Sequence, residues 1–279
     1  MYSSKPIQIL KTFSAAEVRR FGEFLESPYF NKNELLADLF VIIKKAHPKY
    51  ESKDIHREAL FAKIYPKEKF DEQKLRYLMT DFTKVLEEFC AIDSFRDRTY
   101  YKNHLLLEKY KERNLDKYFL AVEKNSRQLL KKSPHRDHRF FYRDYLLEED
   151  TYKFASSRRE HLLKSNLQKV VDNLDLYYLA TKLKYCCEIL NNKNVVAVDY
   201  ELFLMEEIAA YLDKNSFDHI PIIAIYYRIL KTLMDSEDTT AYRELIDLLS
   251  KSHEQFSQAE LFDLYAVSYT HLRAHETSE

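Results

Sequence analysis

An all-α fold is what this sequence predicts, on three observations. The chain of 279 residues holds one glycine, Gly22, and six prolines. Ordinary usage would give about 20 glycines at ~7%. Sheet proteins spend glycine and Asn-Gly pairs on tight turns, and none of those pairs occurs here. Apolar residues recur at steps of three and four along long segments, the period of one helix face. Capping residues, Asn clusters and prolines then cut those segments into helix lengths.

The elements follow in order. Ile7–Phe13 reads as a short helical turn. Ser14-Ala-Ala-Glu17 is a capping box opening a helix that buries Val18, Phe21, Phe24 and Leu25 and stops at Ser27-Pro28. Asn31 or Asn33 caps Glu34–Ala46, and Asp54 is expected to cap a shorter helix ending at Tyr65-Pro66. Asp71 opens the clearest stripe, Leu75, Leu78, Met79, Phe82, Val85, Leu86, Phe89 and Cys90. Residues 1–92 are therefore expected to form a compact helical N-terminal unit. Asp93–Arg98 reads as a charged joint.

Helices are expected at Tyr100–Glu112, Leu115–Lys132, Arg136–Ala155, Leu162–Leu190, Val196–Leu212, His219–Met234 and Thr239–Ser250, with another starting at Ser257. Leu162–Leu190 is the longest, about 43 Å at ~1.5 Å per residue. Leu163, Leu167, Val170, Leu174, Tyr177, Tyr178, Thr181, Tyr185 and Ile189 read as its buried face, and its last turns as buried on more than one side. Short connections predict antiparallel hairpins. Residues 93–266 thus read as a helical-hairpin array, an irregular tetratricopeptide-like α-solenoid, because the pairs start roughly every 40 residues. Leu115–Lys124 resembles the second helix of such a repeat, with Tyr118, Phe119, Ala121 and Val122 at packing positions.

Composition also limits function. One glycine cannot build a G-x-x-x-x-G-K-[ST] or G-x-G-x-x-G phosphate loop, where a Cβ blocks the approach to phosphate. The G-x-S-x-G nucleophile elbow is absent. Formal net charge is −1, from 44 basic and 45 acidic side chains, which gives no overall attraction to nucleic acid or acidic lipid. Cys90, Cys186 and Cys187 lack disulfide spacing and read as small buried hydrophobes in a reducing compartment. The N-terminus lacks an apolar signal-peptide core, and the longest apolar run, Ile220–Tyr227, is far short of the ~20 residues of a membrane span. The protein is expected to be soluble and cytoplasmic.

Three clusters could carry chemistry. His135 and His138, three apart beside Asp137, could both face a metal, but no further ligand is near, and a charged first turn is the simpler reading. Lys131, Lys132, Arg136, Arg139, Arg143, Arg158 and Arg159 interleave with Phe140, Phe141 and Tyr142, a pattern that can bind single strands. Interspersed acids favour a helix with an aromatic core face. Residues 54–90 loosely resemble a winged-helix DNA-binding segment, by which Lys74, Arg76 and Lys84 would approach DNA. No catalytic, cofactor or metal residue is assigned, and none is expected. The 22 tyrosines suit helix seams and partner grooves.

Two resemblances complete the sequence. Ile9-Leu-Lys-Thr-Phe-Ser-Ala-Ala-Glu17, Phe24-Leu-Glu-Ser-Pro-Tyr-Phe-Asn31 and the Leu60–Phe89 block, continuing through Asn191–Asn194 to about Ala266, resemble an uncharacterised all-helical family of bacterial proteins. That resemblance implies the fold and a truncated C-terminal end, and no functional residue. Residues 267–279 resemble translated sequencing-adaptor read-through and are expected to be non-native; His271 and His275 then carry no meaning. The expected function is a non-enzymatic protein-interaction scaffold binding a peptide or partner protein. The alternative is a DNA-binding regulator using residues 54–90.

Overall fold

The computed structural model describes residues 4–158, 166–193, 200–234 and 239–265. Among these there are helices and no strand, and no helix is long and apolar enough to cross a membrane. The chain divides into two compact units, one ending at Thr99 and one beginning at Tyr100. The expected break at residue 92 falls inside a helix that runs on to Arg96, so the charged joint shrinks to Asp97 and Arg98.

The first unit holds α1 (Lys5–Lys11), α2 (Ala15–Glu26), α3 (Glu34–Lys44), α4 (Arg57–Ile64) and α5 (Glu72–Arg96). Ser14 and Glu17 close the capping box on α2. Asn33 caps α3 and Asp71 caps α5. Asp54 does not cap α4. Ser52 caps a 3-10 turn there, and the Asp54 carboxylate instead pairs with Lys63 at 2.7 Å. The core centres on Phe21 of α2, which meets Phe40 at 4.8 Å, Phe89 at 5.2 Å and Phe82 at 5.6 Å between ring centroids. Edge contacts of this kind add to area burial. Arg20 forks onto both oxygens of Asp93 at 2.8 and 2.6 Å, tying α2 to α5.

The second unit holds α6 (Thr99–Glu112), α7 (Asp116–Lys132), α8 (His138–Ser157), α9 (Leu167–Lys193), α10 (Met205–Lys214), α11 (Pro221–Met234), α12 (Thr239–Ser252) and α13 (258–265). Asn114 takes a left-handed turn at φ 56° between α6 and α7, and Pro221 opens α11, where its missing N–H costs nothing. Of the helix expected over Val196–Leu212, residues 194–199 lie outside the described part, residues 200–204 are not helical, and α10 starts at Met205 after Leu204 at φ 60°. α9 is the hub, packed on α8 and on α11, while α7 packs on α8 and α11 on α12. Phe119 and Phe154 stack at 3.9 Å under α7 and α8. A larger core runs from Phe141 through α9 and α11 to Leu264.

The face of α9 differs from the expected one. Leu179, Ala180, Leu183, Cys186 and Cys187 are its buried apolar residues, with Lys184 among them, whereas Leu167, Leu174, Tyr178 and Tyr185 are exposed. The expected face is thus largely the exposed row, and the row that meets the core lies well round the helix from it. The expected start at Leu162 lies outside the described residues.

Candidate functional site

Three helices of the second unit frame an open cleft of about 300 Å³. Its floor is Leu212, Phe217, Ile223 and Tyr227, from the end of α10, the following loop and the first turns of α11. Arg228 and Lys231 project from α11 to its rim, opposite Asp213, Asp218 and Glu244. The local sequence explains the shape. Asn215 and Ser216 stop α10, Ser216 Oγ bonds Asp218 at 2.7 Å, and Pro221 restarts the helix. The loop thus stands away from α11 and leaves the groove open.

The rim charges are paired across elements. Arg228 donates to Asp218 at 2.9 Å and to Glu244 at 3.3 Å. Lys231 bonds Asp213 at 2.5 Å. Lys231 holds the Asp213 carboxyl below the usual carboxylate range, and Ser216 and Arg228 do the same for Asp218. Burial raises the Tyr227 phenol, whose hydroxyl donates to the Ala209 carbonyl at 3.0 Å. Two cations, three carboxylates and an aromatic-aliphatic floor suit an apolar anchor flanked by charges of either sign.

A second polar cluster lies in the core. Lys184 of α9, 9% exposed at its side chain, donates to Glu260 at 3.1 Å and Asp263 at 3.0 Å. Tyr226 of α11 donates its hydroxyl to Glu260 at 2.5 Å. Burial opposes the ammonium of Lys184, yet Asp263 and Glu260 outweigh it and raise its pKa. Burial and the Glu260 carboxylate raise the Tyr226 phenol. The cluster joins α9, α11 and α13 as a structural clamp.

The sequence candidates fall as follows. His138 is half-buried 4.0 Å from Glu260, its Nδ1 has no hydrogen-bond partner, and desolvation lowers its pKa. Asp137 is occupied as the cap of α8, accepting from Phe140 N. The Arg136 N–H donates to the Gln255 carbonyl at 2.8 Å, so this segment docks the turn before α13. No group of three His, Cys, Asp or Glu among the described residues could hold a metal. Of the basic residues along α8, Arg143 lies over Tyr100 at 4.6 Å, and Arg158, just past its end, bonds Asp116. Phe141 is buried, and Arg159 lies outside the described residues, as do His271 and His275. In residues 54–90, Lys74 bonds Glu68 at 2.7 Å and Lys84 bonds Asp81 at 2.9 Å. α5 leads into α6 with no strand between them, so the DNA-binding alternative lacks its wing. The three cysteines are free thiols, two of them buried.

Sequence reasoning did not single out the cleft residues or Lys184. Apart from bonds within a turn, such as the Ser216–Asp218 bond and the Lys184–Glu188 pair, their partners lie 10 to 79 positions away, beyond any helical period. Asp213, Ser216 and Asp218 around a helix stop offered a local hint, a polar loop ahead of Pro221. Comparison with protein-family models, curated proteins and solved structures finds no match for this chain. The fold and the cleft define it as an all-helical protein with an open, mixed-charge groove.

Proposed function

We propose that this protein is a non-enzymatic interaction scaffold whose second unit is a tetratricopeptide-like array of helical hairpins, and that it receives a peptide or partner helix in the α10–α12 cleft. The observation that carries this is the cleft itself: an apolar floor between paired helices, under a rim of two cations and three carboxylates. Stacking of α9 on both α8 and α11 supports a layered array, since solenoid helices touch neighbours one and two places on. Free thiols support a reducing, cytoplasmic setting. An anchor side chain would fill the floor beside Tyr227, and Arg228 and Asp213 would read the charges flanking it.

Affinity purification of the full-length protein with mass spectrometry tests this, run beside Arg228→Glu/Lys231→Glu. The expected result is a reproducible partner that the double variant loses while keeping wild-type helicity. No reproducible partner, or equal recovery by the variant, would overturn the proposal.

A further inference from the structure

α9 carries a second apolar row away from its core side. Leu167, Val171, Leu174, Tyr178 and Tyr185 are each 40 to 52% exposed. Single exposed hydrophobes are ordinary. These five instead keep the 4-3-4-7 spacing of a coiled-coil seam, with Thr181 at the remaining position. From Leu167 to Tyr185 the row runs about 27 Å at ~1.5 Å per residue. α8 and α11 already hold α9 in helical form, so a helix laid along the row would meet a preformed surface and spare half of the usual ordering cost.

Charge along one edge of the row selects the occupant. Asp175 and Lys182 stand seven residues apart at equivalent seam-flanking positions. In an antiparallel pair such positions face one another, so Asp175 of each copy would meet Lys182 of the other. The same register sets Leu174 against Tyr185 of the second copy, and Tyr178 against Thr181 beside the two-fold axis. A parallel pair would set Asp175 and Lys182 against Val170 and Tyr177, leaving both charges without partners. One helix thus holds both halves of a self-complementary, closed interface. We propose that α9 is an antiparallel self-association seam that pairs two copies of this chain. It is separate from the α10–α12 cleft and does not rest on that reading.

Sedimentation equilibrium of the full chain over a concentration series is the test. The mass should climb from 33.6 kDa toward twice that value, and Leu174→Glu should stay monomeric throughout. Asp175→Lys should weaken association about tenfold, and Asp175→Lys/Lys182→Asp should restore it. A further variant, Asp175→Cys/Lys182→Cys, should form a disulfide-linked dimer on oxidation. Within one copy those positions lie roughly 10 Å apart, beyond the reach of a disulfide. A wild-type chain that stays monomeric at all concentrations, or a Leu174→Glu chain that associates as well as wild type, would overturn the proposal. So would Cys variants that never cross-link. Partner binding in the cleft by a monomeric wild type would sink the seam alone.

Discussion

Replacing Lys184 by Met removes the cation from a clamp that joins three helices. Its side chain is 9% exposed and that of Glu260 is 6% exposed. With the ammonium gone, Glu260 keeps the Tyr226 hydroxyl at 2.5 Å but no buried counter-charge. Removing one partner of a buried pair costs about 3–5 kcal/mol. With a urea slope of about 2–3 kcal/mol/M, the midpoint of the second unit should fall by roughly 1–2.5 M. Lys184→Met/Glu260→Gln should recover most of the loss, because a neutral amide still accepts from Tyr226 and leaves no unpaired buried charge, Asp263 being half-exposed. The assay is urea unfolding of the full chain followed by hydrogen exchange, with α9 and α13 amides reporting on this unit. A Lys184→Met midpoint within about 0.2 M of wild type, the resolving power of the fit, would refute the clamp. Equal loss in the single and double variants would refute the charge argument while leaving packing intact.

Other outcomes follow from the same structure. Gly22→Ala should stabilise the first unit by about 0.5–1 kcal/mol, read from its thermal midpoint. Gly22 is inside α2, its φ is not positive, and a new Cβ would meet the Phe40 ring at 3.5 Å, an ordinary contact. Arg20 holds Asp93 below its usual pKa of 3.8. The pair therefore contributes stability above about pH 4 that is lost as pH falls through the lower folded value. Asp93→Asn should flatten that acid slope in unfolding measured from pH 6 to pH 2. His138 runs the opposite chemistry to the same sign. Burial holds its folded pKa below 6.5, so the second unit has its full stability above about pH 6.5 and loses part of it as protonation of the unfolded chain draws the equilibrium. His138→Gln should remove that share of the loss, seen as a shallower fall of the midpoint between about pH 7 and pH 5 than in wild type.

Much of this architecture was legible in the residues. Gly22 standing alone excluded sheets and phosphate loops. Ser14, Asn33 and Asp71 were readable as caps because capping is a contact across three positions. The α5 stripe was readable because Leu75, Leu78, Phe82, Leu86 and Phe89 face one core in a regular helix. Asp54 misled because it lies inside a 3-10 turn, Lys53–Ile55, which leaves His56 at the start of α4, and its carboxylate pairs with Lys63. On α9 the exposed row was taken for the core face, because periodicity finds hydrophobic spacing and does not say which of two apolar rows is covered. The cleft was not legible. Its rim joins Asp213, Arg228 and Glu244 from three helices, and only the stop at Asn215 and the restart at Pro221 bring them to one groove.

Hydrogen exchange of the full-length protein with and without its captured partner tests the scaffold most directly. Binding in the cleft predicts slowed exchange across Ile208–Lys214 and Ile223–Lys231, the helix segments that wall the groove, and no such slowing for Arg228→Glu/Lys231→Glu. Protection confined to the first unit, or none at α10 and α11, would contradict it.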